Sequence, residues 1–313
     1  MSADTISKRG LPFKHLNASI IRNNINGWLF ISPWLIGFLL LTAYPLVSSL
    51  YYSFTSYTVI KPPQWVGLTN YIELFTRDPL FWTAIRNSLF FVAMYVPLSI
   101  FLGVSVAMLL NMPVRGKAIY RTLVFLPSIV PDIVTGLLWI WIFHPQFGAI
   151  NNLLKLGGVS GPGWLSDPMW SKPALVIISL WGLGSSMVIY LAALQDVPEQ
   201  LYEAAAIDGA GPLANMRFIT LPMITPTILF NLVLGIIAGL QSFTSAFIIT
   251  KGTGGPVDST LFYGLLIYRN AFSYLKMGYA SAMSWILFLV ILTITLVVFR
   301  TSGRWVFYGG DSK

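Results

Sequence analysis

MGYASAMSWILFLVILTITLVVF, Met277 to Phe299, runs for 23 residues without an Asp, Glu, Lys or Arg. A helix rises about 1.5 Å per residue, so a segment of this length covers the roughly 30 Å of a bilayer's hydrocarbon with a little to spare. Working outward from it, five more such gaps appear. Asn23 to Ile60 is free of these charges, and its apolar part, about Trp28 to Phe54, forms a first span. The second lies in Asn87 to Val114, the third in Tyr120 to Phe143 with Asp132 inside it, the fourth in Pro173 to Gln195 and the fifth within Phe218 to Thr250. The expectation is an all-α polytopic membrane protein with six transmembrane helices.

Composition agrees. Of 313 residues 56% are hydrophobic and 10% charged, and the mean hydropathy is +0.72, too apolar for an ordinary soluble domain. The net charge of +8 is spread over the edges of the apolar runs and not over one basic face, which argues against nucleic acid as a partner and for orientation in lipid. With no cysteine, a thiolate metal site, a disulfide framework and a cysteine nucleophile are all excluded. Residues 1–26 are polar, carry Lys8, Arg9, Lys14 and Arg22, and lack the apolar core of a cleaved signal peptide, so they read as a cytoplasmic tail. Residues 27–300 make the six-span domain and 301–313 a second cytoplasmic tail. Placing both termini inside collects 11 Lys and Arg on the cytoplasmic side against 8 outside, a modest positive-inside bias.

The connection after the fourth span, residues 196–222, is longer than a helical hairpin requires. Asp196 with Pro198 predicts a cap and first turn, Glu199 to Ile207 an Ala-rich helix, Asp208-Gly209 a stop, and Pro212 the start of a second short helix reaching Thr220. Within it, Glu203, Ala204, Ala205, Asp208, Gly209, Ala210, Ile219, Leu221 and Pro222 stand at the spacings of the EAA loop of binding-protein-dependent ABC importer permeases. The resemblance covers nearly the whole chain. Trp65 to Tyr71, Asp78-Pro79, Leu126-Pro127 to Trp139, Gly254-Gly255-Pro256 and Met277 to Ala282 are similar to the carbohydrate, maltose-like branch of the type I fold. The sequence departs from the large maltose permease in lacking extra N-terminal spans and a big periplasmic insert, so it resembles the compact six-span subunit that pairs with a different permease.

The resemblance implies a sugar importer in a bacterial or archaeal cytoplasmic membrane. Its implied partners are a second permease, two ATP-binding cassette subunits and an extracytoplasmic sugar-binding protein. The helix of Glu203 would seat in a groove of the ATPase, with Ala204 and Ala205 allowing close approach and Gly209 and Ala210 following at the turn. ATP and magnesium would belong to the partner ATPase, and no cofactor to this chain, which has no G-x-x-x-x-G-K-[ST] phosphate loop.

Polar residues inside spans tend to face the bundle interior. On the fifth span Asn231, Gly235, Ala238, Ser242 and Ser245 share a face with Gln241 beside them; on the fourth Ser179, Gly182, Ser186 and Tyr190 do so, with Trp181 and Ser185 adjacent. These offer hydroxyl and amide partners and an aromatic plate for a sugar, and equally a small-residue face for helix packing. The family places its substrate contacts near Gly182, Ser185, Gln241 and Ser242. Asp132 has two readings: an intramembrane acid of an ion-coupled secondary transporter, the rival function, or a carboxylate that satisfies backbone donors freed where Pro127 and Pro131 break the helix. His15 and His144 have no companions for metal or acid–base work, and no nucleophile and base pair supports a membrane-embedded enzyme.

Overall fold

The computed structural model describes residues 13–308, with side chains from Asn24 onward; Lys8, Arg9, Lys313 and the side chains of Lys14, His15 and Arg22 lie outside what is described. The chain falls into two units, up to Tyr52 and from Ser53. The first is a helix from Phe13 to Phe38 (α1), a π turn Leu39–Ala43, and a helix Tyr44–Ser53 (α2). Helical backbone therefore begins inside the segment read as a tail. Large apolar side chains from Trp28 to Tyr51 are exposed along it, as lipid-facing residues are.

From Ser53 a two-stranded antiparallel hairpin, β1 (Thr55–Thr58) and β2 (Lys61–Trp65), departs from the all-helical expectation. A short helix Thr69–Thr76 (α3) leads to the 33-residue α4, Pro79–Asn111. Its start is specified locally: the Asp78 carboxylate accepts from the amides of Leu80 and Phe81, and Pro79 occupies the first turn, where a missing N–H costs nothing. At about 1.5 Å per residue α4 is longer than the hydrocarbon is thick, and it begins two turns before the uncharged gap.

The third expected span is α5 (Lys117–Phe125), a 3-10 turn Leu126–Ile129, and α6 (Asp132–Ile142), bent by 100° at the two prolines. After α7 (Ala149–Leu156), the fourth span is α8 (Pro168–Trp181) and α9 (Gly184–Gln195), bent by 52°. The connection of residues 196–222 holds α10 (Glu199–Ile207), α11 (Pro212–Asn215), a π turn Met216–Thr220 and α12 (Leu221–Met223). The fifth span is α13 (Thr225–Leu240) and α14 (Thr244–Thr250); α15 (Tyr263–Tyr268) precedes the sixth, α16 (Met277–Ser302). By length and apolarity four helices can cross a membrane, or six if each bent pair counts as one.

The helix α4 is the post around which the second unit packs, touching α8, α9, α13 and α15. Its approach to α9 depends on Gly103, where a Cβ would come within 2.9 Å of the Tyr190 ring. The start of α9 is closer still: a Cβ on Gly184 would lie 2.7 Å from the Phe125 Cα and the Val124 carbonyl oxygen, which are backbone and cannot swing aside.

Candidate substrate pathway and coupling loop

Three interrupted spans meet at one cavity of about 400 Å³. Its wall includes Pro127, Ser128, Val130 and Asp132 from the break between α5 and α6; Trp181, Gly182 and Ser185 from the break between α8 and α9; and Gln241, Ser242, Phe243 and Thr244 from the break between α13 and α14. Tyr95 of α4, Thr135 of α6, Ser179 of α8 and Ser245 of α14 complete its polar side. An interrupted helix leaves amide and carbonyl groups without helical partners, and in lipid such groups survive only when buried in protein or lining a wet cavity. The breaks therefore have a reason to converge.

The side chains of Asp132, Thr135, Ser185, Gln241, Ser242, Thr244 and Ser245 make no hydrogen bond among the described residues. Ser128 and Ser179 instead donate to the carbonyls of Phe125 and Leu175. Three rings stand in the wall and are supported from behind. Trp181 meets Trp139 edge-on at 6.1 Å, Tyr95 stacks on Phe91 at 5.5 Å, and Phe243 contacts Phe247 and Tyr268 at 5.2 and 5.1 Å. Fixed rings and uncommitted hydroxyl and amide groups offer stacking and hydrogen bonding with little ordering cost.

Of the residues expected on the pathway, Trp181, Gly182, Ser185, Gln241, Ser242 and Ser245 come together here, with Asp132. Ser186, Tyr190 and Asn231 do not line it. Ser186 donates to the Leu183 carbonyl, and with Tyr190 it faces Gly103 of α4; Asn231 donates to Thr227, about 15 Å along α13 from Gln241. A single helical face through the fourth span requires a straight helix, and this span is bent by 52° where α8 ends and α9 begins. Tyr95, Thr135 and Thr244 went unread because they reach the wall only through packing, although Thr135 lies one turn after Asp132.

The reading of Asp132 as a cap for freed donors is corrected. The cap position of α6 belongs to Pro131 and no side chain caps it; Asp132, one residue later, is exposed in the first turn with its carboxylate on the cavity. Asp196 fails for the mirror reason. It ends α9, two residues ahead of Pro198, which takes the cap position of α10 without a side-chain bond. Among the described residues no group of three or more His, Asp and Glu could hold a metal.

The expected coupling helix has the expected bounds, Glu199 to Ile207. None of its residues is buried; Glu203 and Ala204 are exposed, Ala205 half-buried, and Asp208 ends the helix. Gly209 follows at φ +76°, the left-handed conformation that glycine takes at no steric cost, and the Ala210 amide closes on the Ala205 carbonyl at 2.9 Å.

Broken apolar helices around a polar cavity, with an exposed helical loop between two spans, define a multi-pass membrane permease. The chain belongs to the family of binding-protein-dependent transport system inner membrane components, whose family model matches residues 96–306. It is 43% identical over 93% of its length to the probable ABC transporter permease protein YesP of Bacillus subtilis (strain 168), covering 94% of that protein. It is 35% identical over 88% of its length to the lactose transport system permease protein LacF of Rhizobium radiobacter, covering 93% of it. To the trehalose/maltose transport system permease protein MalF of Thermococcus litoralis it is 32% identical, with 88% and 92% covered. The fold is that of a solved bacterial ABC transporter involved in import of the acidic polysaccharide alginate, with a TM-score of 0.81 at 24% identity over 93% of this chain and 99% of that one.

Proposed function

We propose that this permease carries a small saccharide, a disaccharide or short oligosaccharide, across the cytoplasmic membrane. An extracytoplasmic binding protein delivers it, and two ATP-binding cassette subunits drive the step while holding the ATP and magnesium. A second, different permease completes the pathway, and both termini face the cytoplasm. The observation that carries this reading is the cavity wall. Its uncommitted hydroxyl and amide groups and rigid rings match the alternating polar edges and apolar faces of a sugar ring. Relatives named for lactose and for trehalose/maltose transport support the same class.

In this scheme Glu203, Ala204 and Ala205 contact the ATPase, and the turn at Asp208, Gly209 and Ala210 sets the angle of the loop. Closure of the ATPase pair then shifts the two permeases between inward-open and outward-open states. Trp181, Gly182, Ser185, Gln241, Ser242 and Ser245 touch the cargo.

Reconstitution of the assembled transporter in proteoliposomes tests the proposal. Uptake of labelled saccharide delivered by its binding protein should require ATP and survive ionophores. Uptake without ATP that collapses with the ion gradient would overturn it and return Asp132 to the ion-coupled role.

A further inference from the structure

We infer that the hydrogen bond between Tyr202 and Thr220 is the link through which movement of α10 reaches the fifth span and the cavity wall. The inference rests on the coupling role proposed for α10 and goes beyond it by naming where the force passes.

Apart from the chain that joins it to α9 and α11, an exposed helix transmits displacement through the contacts it makes inward, and α10 makes few. Its Ile207 is 89% exposed and Glu203 also faces outward. Tyr202 is the one apolar side chain of α10 among those packed against the cluster of Leu194, Val197 and Ile224, beside Ile219 and Leu221. Its hydroxyl lies 2.9 Å from the Thr220 Oγ1, and Thr220 is 8% exposed. The direction of the bond follows from proton count. Thr220 has one hydroxyl proton and donates it to the Asn215 carbonyl at 3.2 Å, so Tyr202 donates and Thr220 accepts.

What lies beyond Thr220 leads to the cavity. Thr220 is the last residue of the π turn Met216–Thr220, a geometry that recurs at functional positions in helices. After α12, α13 runs unbroken from Thr225 to Leu240, about 24 Å at helical rise, and delivers Gln241 to the cavity. A shift of the Tyr202 hydroxyl therefore acts on the near end of a lever whose far end is the substrate wall. Tyr202 and Thr220 are positioning residues and touch no cargo.

The natural absence of cysteine permits a test that needs no knowledge of the sugar. In the assembled transporter carrying Ser245→Cys, labelling by a membrane-impermeant maleimide is followed with and without trapping by ATP and vanadate. Trapping should change the rate at least fivefold. Tyr202→Phe, which keeps the ring and removes only the donor, and Thr220→Val should each shrink that change below twofold while assembly and basal ATP hydrolysis persist. The double variant should be no worse than either single one, and Thr220→Ser should restore the full change. A full trapping response in Tyr202→Phe overturns the link, and so does a loss of response in Thr220→Val that Thr220→Ser fails to recover. No response in the Ser245→Cys protein itself would instead overturn the cavity and coupling roles on which the link depends.

Discussion

Along α10 the backbone is regular and no side chain is buried, whereas at the cavity the backbone breaks three times and the side chains that matter are held by rings and turns. The difference matches what each region is proposed to meet. A surface that docks into another protein needs a preformed shape with small residues and an accessible charge, which a short helix provides. A path for a polar solute through lipid needs polar groups with no internal partner, and helices supply them only where they are interrupted.

The contrast breaks most sharply at Glu203. Reversing its charge leaves the membrane spans untouched, but places a cation where a carboxylate is proposed to meet a basic rim. Truncating one partner of a buried charge pair costs about 2–5 kcal/mol, so Glu203→Lys should lower ATP-driven uptake by roughly thirtyfold or more. The chain should remain inserted, as membrane fractionation would show. Normal uptake would remove α10 from the coupling path.

Next in size is a change at the other region's foundation. Gly184 lets the start of α9 approach the end of α5, and an added methyl would press on the backbone of Phe125 and Val124. Overpacking of this kind costs about 1–3 kcal/mol. Gly184→Ala should lower the thermal midpoint of the detergent-solubilised transporter, while the same substitution at exposed Gly211, with open space around it, should leave it unchanged.

The two regions also differ in how far the sequence reveals them. The bounds of α10 and the turn at Gly209 are legible because Pro198, the alanines and the glycine act within a few residues of themselves. The six apolar gaps are legible for the same reason: length and charge are local. The cavity is tertiary. Pro127 and Pro131 announce that the third span breaks, but the bend at Gly182 depends on packing that no spacing rule contains, and Ser186 and Tyr190 beyond it lie against Gly103 of α4. The hairpin of Thr55 to Trp65 is hard to read because Pro62 and Pro63 argue against a strand in a sheet interior, yet are tolerated on an edge strand, which each strand of a two-stranded ribbon is.

A smaller effect sharpens the cavity itself. Gln241 offers an amide with no partner among the described residues. A net hydrogen bond is worth on the order of 1 kcal/mol, so Gln241→Ala should weaken saccharide uptake about fivefold while basal ATPase activity stays level. Asn231→Ala, away from the cavity on the same span, should leave uptake unaltered. Equal losses at both positions would mean that helix packing, and not contact with cargo, governs this span.

The smallest effect is expected at the most conspicuous residue. Asp132 is a carboxylate within an apolar span, and by default such a group marks an ion or proton path. Here it sits exposed at the first turn of α6, where the helix dipole favours a negative charge, and it lines the cavity. Neither circumstance requires that it bind an ion during transport. Asp132→Asn keeps the shape and forfeits a dipole interaction worth about 0.3–1 kcal/mol, so ATP-driven uptake should fall by at most about twofold to fivefold. Uptake measured with and without an ionophore is the deciding comparison. If the substitution abolished uptake, and the ionophore did the same to the unmodified transporter, the carboxylate would belong to an ion pathway, and α10 would no longer be the place where energy enters.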